Sequence, residues 1–122
     1  MEVLNLTRHY STPEQRNDGV IEPTEEDKQR IRELLTFDEI PTVKEIKERA
    51  EELADIAETY DVRAAMIAGA PFILSSLENA LKKRGIAPLY SFATREAVEE
   101  QLPDGTVVKK SLFKHLGFVL VL

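Results

Sequence analysis

The sequence predicts an α/β domain with a mostly parallel sheet and a C-terminal antiparallel hairpin. Three observations carry this expectation. Residues Ala64–Ala68 are uncharged and do not alternate apolar with polar, the pattern of a strand covered on both faces. Val43, Ile46, Ala50, Leu53, Ala57 and Tyr60 recur every three or four positions, which is the period of an amphipathic helix. Strand-like and helix-like stretches also alternate along the chain, an order that favours parallel crossovers.

In chain order, Glu2–Leu6 is apolar-rich and reads as a central strand with Val3 and Leu4 buried. Thr12 caps a short helix, with Pro13 at its first position, Gln15 completing a capping box and Gly19 after its end. Val20–Glu22 is either a short strand or an extended link. Thr24 caps a second helix whose first turn carries Glu25, Glu26 and Asp27, where the helix dipole favours acids. Ile31, Leu34 and Leu35 form its apolar side, and Phe37 and Ile40 anchor the connection that follows. The third helix opens on a full capping box, Thr42-Val-Lys-Glu45.

After the strand Ala64–Ala68, Gly69 permits close backbone approach and Pro71 suits the first helical position. The helix Pro71–Arg84 buries Phe72, Ile73, Leu74, Leu77, Ala80 and Leu81, and Lys82, Lys83 and Arg84 complement its dipole. Ile86–Phe92 is the next strand, with Pro88 marking its start or an edge. Thr94–Leu102 is compatible with helix by propensity. The turn signal Pro103-Asp-Gly105 and the β-branched residues after it favour strand, hence two arms of a projecting hairpin. Leu116–Leu122 is strongly apolar and is expected to end in the core as a strand.

The length of 122 residues fits one domain spanning 1–122. With no cysteine, disulfides and thiol chemistry are excluded, and with two histidines a histidine-rich metal site is not expected. No apolar run approaches a membrane span and no basic leader precedes one, so the expectation is a cytoplasmic protein without membrane contact. The net charge of −6 argues against binding long nucleic acid. Residues 1–62 hold 17 acids and 8 bases, whereas 63–122 hold 5 acids and 8 bases, which leaves room for a small anionic ligand near the second half.

Ligands of open α/β sheets bind beyond the carboxyl ends of the strands. Three loops gather there in the expected layout: Thr7–Thr12, Gly69–Pro71 with the helix start behind it, and Ser91–Arg95. They bring Arg8, His9 and Arg95, the polar side chains of Thr7, Ser11, Thr12, Ser91 and Thr94, and the backbone of Gly69 and Ala70. Arginines and a helix start suit phosphate, although Arg8 and Arg95 serve equally well as surface ion-pair residues. Lys114 and His115 join if the last segment returns to this end of the sheet. A Walker loop, a Gly-x-Gly-x-x-Gly fingerprint, a His-Glu-x-x-His helix and a Gly-x-Ser-x-Gly elbow are all absent.

The first strand ends in Asn5-Leu-Thr-Arg-His, and Ser-Thr-Pro-Glu-Gln15 follows. This stretch resembles the start of the small CRISPR-associated ring-nuclease-type proteins, compact relatives of the CRISPR-associated Rossmann fold domain. The motif covers residues 5–15; Ser111–Phe118 belongs to no shared pattern. The resemblance implies a Rossmann-like three-layer fold and a homodimer that binds a cyclic oligoadenylate, a nucleotide messenger of antiviral defence, across its two-fold axis. Some relatives cleave that ring without metal or cofactor, by attack of a ribose 2′-hydroxyl on the adjacent phosphate. The roles that follow for this chain are phosphate binding at Gly69–Pro71, charge stabilisation by Arg8 and Arg95, acid–base work by His9, and ribose or phosphate orientation by Ser11 and Ser91. Two other readings stay open: a nucleotide sensor without turnover, and a protein-interaction subunit using the acidic helices within 24–60.

Overall fold

The structure is a computed structural model that describes all residues, Met1–Leu122. Five strands form one sheet: β1 (Val3–Leu6), β2 (Val20–Ile21), β3 (Ala64–Ile67), β4 (Ala87–Gln101) and β5 (Val107–Leu120). Their order is β2-β1-β3-β4-β5, parallel except for the antiparallel pair β4–β5. The helices are α1 (Pro13–Asn17), α2 (Glu25–Leu35), α3 (Val43–Glu58) and α4 (Pro71–Lys83). No helix is long and apolar enough to cross a membrane.

Local chemistry fixes where the helices start. The hydroxyls of Thr12, Thr24 and Thr42 accept from the backbone N–H three residues on, at 3.2, 3.2 and 3.1 Å. At α1 the box closes, because Gln15 Oε1 accepts from Thr12 N at 3.0 Å. The full box expected at α3 does not form: the Glu45 carboxylate pairs instead with Arg49, one turn on, at 2.8 Å.

The two faces of the sheet are covered unequally. Leu4, Leu6, Ala65 and Ile67 meet Ile31, Leu34 and Leu35 of α2, Ala50 and Leu53 of α3, and Ile73 and Leu77 of α4 in the main core. On the other face Val3, Val20, Ala64, Met66 and Leu89 form a second, smaller cluster with Phe118 against it. The five-residue α1 is the helix on that side, tied to β4 and β5 through Gln15 and Asp18.

Several expectations are corrected. The segments Ile86–Phe92 and Thr94–Leu102 are one continuous strand of 15 residues, so Ser91–Arg95 is strand and not a loop. Pro88 is the second residue of that strand, at its start as expected. Leu116–Leu122 enters the core only through Phe118: Leu116, Val119, Leu120 and Leu122 are exposed, because β5 is the outermost strand and the helix that packs on it is the five-residue α1, too short to cover its face. The register shift at Phe92/Ala93 skips Leu116, which stands opposite no residue of β4. Val43, Ile40 and Phe72 also lie at the surface, the last packing its ring edge-on to Phe37 with centroids 4.9 Å apart. The cations ending α4 do more than meet its dipole. Arg84 reaches Glu51 and Asp55 at 2.7 and 2.8 Å, Lys83 reaches Glu51 at 2.6 Å, and Lys82 donates to the Leu122 carbonyl.

Candidate functional site

The site starts from a loop built on buried polar groups. Asn5, fully buried at the end of β1, uses both ends of its amide. Its Oδ1 accepts from the Thr7 N–H at 3.0 Å and from the Thr7 hydroxyl at 2.7 Å. Its Nδ2 donates to the His9 carbonyl at 2.7 Å and to Glu22 Oε2 at 2.6 Å. Lys28 of α2 has only 1% of its surface exposed and donates to the carbonyls of Thr7 and His9 at 3.0 and 2.5 Å. Its ammonium also lies 3.2 Å from Glu22 Oε1, and Glu22 Oε2 accepts from Ser11 N at 3.1 Å. The segment Thr7–Ser11 is therefore pinned along its backbone, while the side chains of Arg8, His9 and Tyr10 stand out.

Two opposing effects act on the buried pair. Burial pushes the Glu22 carboxyl up, but hydrogen bonds from Asn5, Ser11 and Lys28 outweigh it and hold the group below its ordinary value. Burial lowers the Lys28 ammonium, and the adjacent Glu22 only partly offsets that. The pair positions the loop: Lys28 holds the carbonyls of Thr7 and His9, and Glu22 holds the N–H of Ser11.

Two adjoining cavities open at the carboxyl ends of β1 and β3, and both are lined by Thr7, His9 and Ala68. The first, about 330 Å³, adds Arg8, Gly69, Ala70 and the aromatic pair Phe37 and Phe72. Gly69, at φ +156°, turns the chain from β3 into α4. That helix has no side-chain cap at Ala70 and no acid in its first turn, so its positive end is left unneutralised. The second cavity, about 260 Å³, adds Tyr10, Thr12, Gln15, Tyr90 and Ser91. Burial and the Glu78 carboxylate push the Tyr90 phenol up, so it stays a donor to Glu78 at 2.6 Å. At Ser91, Oγ lies 2.6 Å from Nδ1 of the buried His115, whose Nε2 lies 2.9 Å from Asp18 Oδ2.

Most of the residues expected at the site therefore meet there: Thr7, Arg8, His9, Thr12, Gly69, Ala70 and Ser91 line one cavity or both. Ser11 is buried behind the loop and lines neither. Arg95, Thr94 and Lys114 also line neither: Thr94 and Lys114 pair across the arm, and the Arg95 guanidinium lies 5.5 Å from the centre of the Phe113 ring. His115 reaches the site and Lys114 does not, because neighbours on a strand face opposite ways. The sequence reading missed Asn5, Glu22 and Lys28. A signal for Lys28 was present: it occupies the apolar stripe of α2, three and seven residues before Ile31 and Leu35.

These features define an α/β protein with a helix-flanked cleft of mixed apolar and polar lining at the carboxyl edge of its parallel strands. The chain belongs to the Uncharacterized protein MJ1673 family, whose pattern it matches over residues 1–119. No curated protein matches it. No solved structure matches it either.

Proposed function

We propose that this chain is a Rossmann-like protein that binds a cyclic oligoadenylate in the paired cavities and opens the ring without a metal. The observation that carries the reading is the uncapped start of α4 facing the same cavity as Arg8 and His9. It offers a partial positive charge, a guanidinium for two-pronged phosphate contact and an imidazole, beside aromatic surface on which a base can stack. The resemblance of residues 5–15 to ring-nuclease-type proteins points the same way. In the ring-opening step the ribose 2′-oxygen bonds to phosphorus and the P–O5′ bond breaks. The 2′-proton leaves to a base, and the departing 5′-oxygen takes a proton from His9. The product is a linear oligomer with a 2′,3′-cyclic phosphate and the mass of the ring.

The acidic helices favour this reading over a protein-interaction role. Glu45, Glu51 and Glu52 are engaged within the chain by Arg49, by Lys83 and Arg84, and by Arg30. Incubation with cyclic tetra-adenylate in EDTA is expected to yield a linear product of unchanged mass. Arg8→Ala is expected to weaken ring binding by about 1–3 kcal/mol, the value of a charge-assisted contact. No binding and no product with either the four- or six-membered ring would refute the reading.

The functional unit in this proposal is a homodimer. Phe113, Leu116, Val119 and Leu120 are exposed on the edge strand β5, a surface prone to pair with another chain. Arg95 and Lys114, which the protomer keeps away from its own cavities, become available to a two-fold partner. Light scattering is expected to give the mass of two chains, and Phe113→Asp combined with Leu116→Asp the mass of one. A monomeric parent at high micromolar concentration, with and without the ring, would exclude the dimer.

A further inference from the structure

The geometry points to a proton relay, Asp18–His115–Ser91, in which Ser91 Oγ takes a proton from a substrate hydroxyl in the second cavity. It deepens the nucleotide reading and rests on it for the identity of that hydroxyl, the ribose 2′-OH. The three residues come from the end of α1, from β5 and from β4, and Asp18 and His115 are 97 positions apart. The carboxylate of Asp18 can only accept, so His115 Nε2 carries the proton it shares at 2.9 Å. In the neutral ring Nδ1 is then an acceptor, and Ser91 donates to it at 2.6 Å. That leaves the lone pairs of Oγ to receive a proton from the cavity.

Burial makes the arrangement directional. His115 has 6% of its surface exposed, with the Phe118 ring 4.7 Å from its own, whereas Ser91 is half-buried and lines the cavity. The imidazole thus meets the cavity through Ser91. Gln15 Nε2, at 3.4 Å from Oγ, adds a long contact that orients the hydroxyl. A tie between α1 and the hairpin would need only His115 and Asp18. The serine extends the hydrogen-bonded series to the cavity that His9 also lines. During ring opening the 2′-proton passes to Ser91 Oγ as the serine's own proton passes to His115 Nδ1. His9 supplies the proton on the leaving 5′-oxygen, so one group takes a proton while the other gives one. Ser91 is the catalytic residue here, and His115 and Asp18 position and poise it.

A fluorophosphonate probe reads the relay without any nucleotide. Ser91 Oγ bonds to phosphorus, the P–F bond breaks, fluoride leaves and the hydroxyl proton goes to His115. Peptide mass spectrometry is expected to find the label on Ser91 in the parent and none at that site in Ser91→Ala. Labelling should be at least about tenfold slower in His115→Asn and in Asp18→Asn, each with the parent's circular dichroism; Asp18 is surface-exposed, so its variant serves if His115→Asn fails to fold. With cyclic tetra-adenylate, Ser91→Ala is expected to lose about 100-fold or more in turnover with ring affinity within about twofold. An unlabelled Ser91 in the folded parent overturns the relay. Ring cleavage at the parent rate by Ser91→Ala also overturns it and leaves the nucleotide reading standing. Labelled Ser91 in a protein that binds no ring upholds the activated serine and removes the nucleotide reading.

Discussion

Replacing Lys28 by methionine is expected to destabilise the protein by about 3–5 kcal/mol and to loosen the loop Thr7–Ser11. Methionine retains most of the apolar stem, so the loss falls on the charge. Glu22 would be left partly buried without its cation, and the carbonyls of Thr7 and His9 would lose a donor. Breaking one side of a buried pair costs several kcal/mol because the other charge is orphaned, whereas replacing both sides costs much less. The double variant Lys28→Met with Glu22→Gln is therefore expected to recover a large part of the stability, measured by urea unfolding. Equal losses in the single and double variants would show that the orphaned charge is not the cause.

The same pair predicts a pH dependence. The folded Glu22 carboxyl lies below its ordinary value, so its stabilising contribution is present above the unfolded pKa of about 4.3 and is lost as pH falls through the folded one. Lys28 is lowered by burial, so its cost is in force at neutral pH and is relieved only on the alkaline side, as pH rises through its folded value toward about 10.4. Acid titration of Glu22→Gln should accordingly show a shallower loss of stability below about pH 4 than the parent.

His9→Ala is expected to lower ring turnover by about 10²–10⁴-fold while ring affinity changes by only a few-fold, because a proton-transfer group acts chiefly in the transition state. The geometry makes this substitution clean. What positions residue 9 is its carbonyl, held by Asn5 and Lys28, and removing the ring leaves both bonds in place. Single-turnover cleavage and calorimetric affinity separate the two effects. A variant that loses affinity in proportion to turnover would make His9 a binding residue and not a proton donor.

The parts of this fold that local chemistry decides were legible in the sequence. Threonine caps, proline at first helical positions and the uncharged run of β3 placed all four helices and the parallel centre of the sheet. The segments Thr7–Thr12 and Gly69–Ala70 were located through the strand ends they follow. What stayed hidden depends on distant pairing. The apolar composition of Leu116–Leu122 says strand, but only the tertiary layout reveals an outermost strand beyond the main helical layer, which leaves all but Phe118 and Val121 of its large apolar side chains exposed. Arg95 looked like a loop residue because the register that carries β4 out to Gln101 is set by β5, not by its own neighbours. Lys28 sits among charged neighbours in the sequence, but its spacing to Ile31 and Leu35 already places it on the inward side of α2. The contact of His115 with Ser91 and Asp18 joins residues that no sequence window contains.

The most direct test of the account is calorimetric titration of the purified chain with cyclic tetra-adenylate in EDTA, alongside Arg8→Ala. The account predicts saturable binding of one ring per two chains and a weaker isotherm for the variant. Absence of binding by the folded protein to this ring and to its six-membered relative would contradict it.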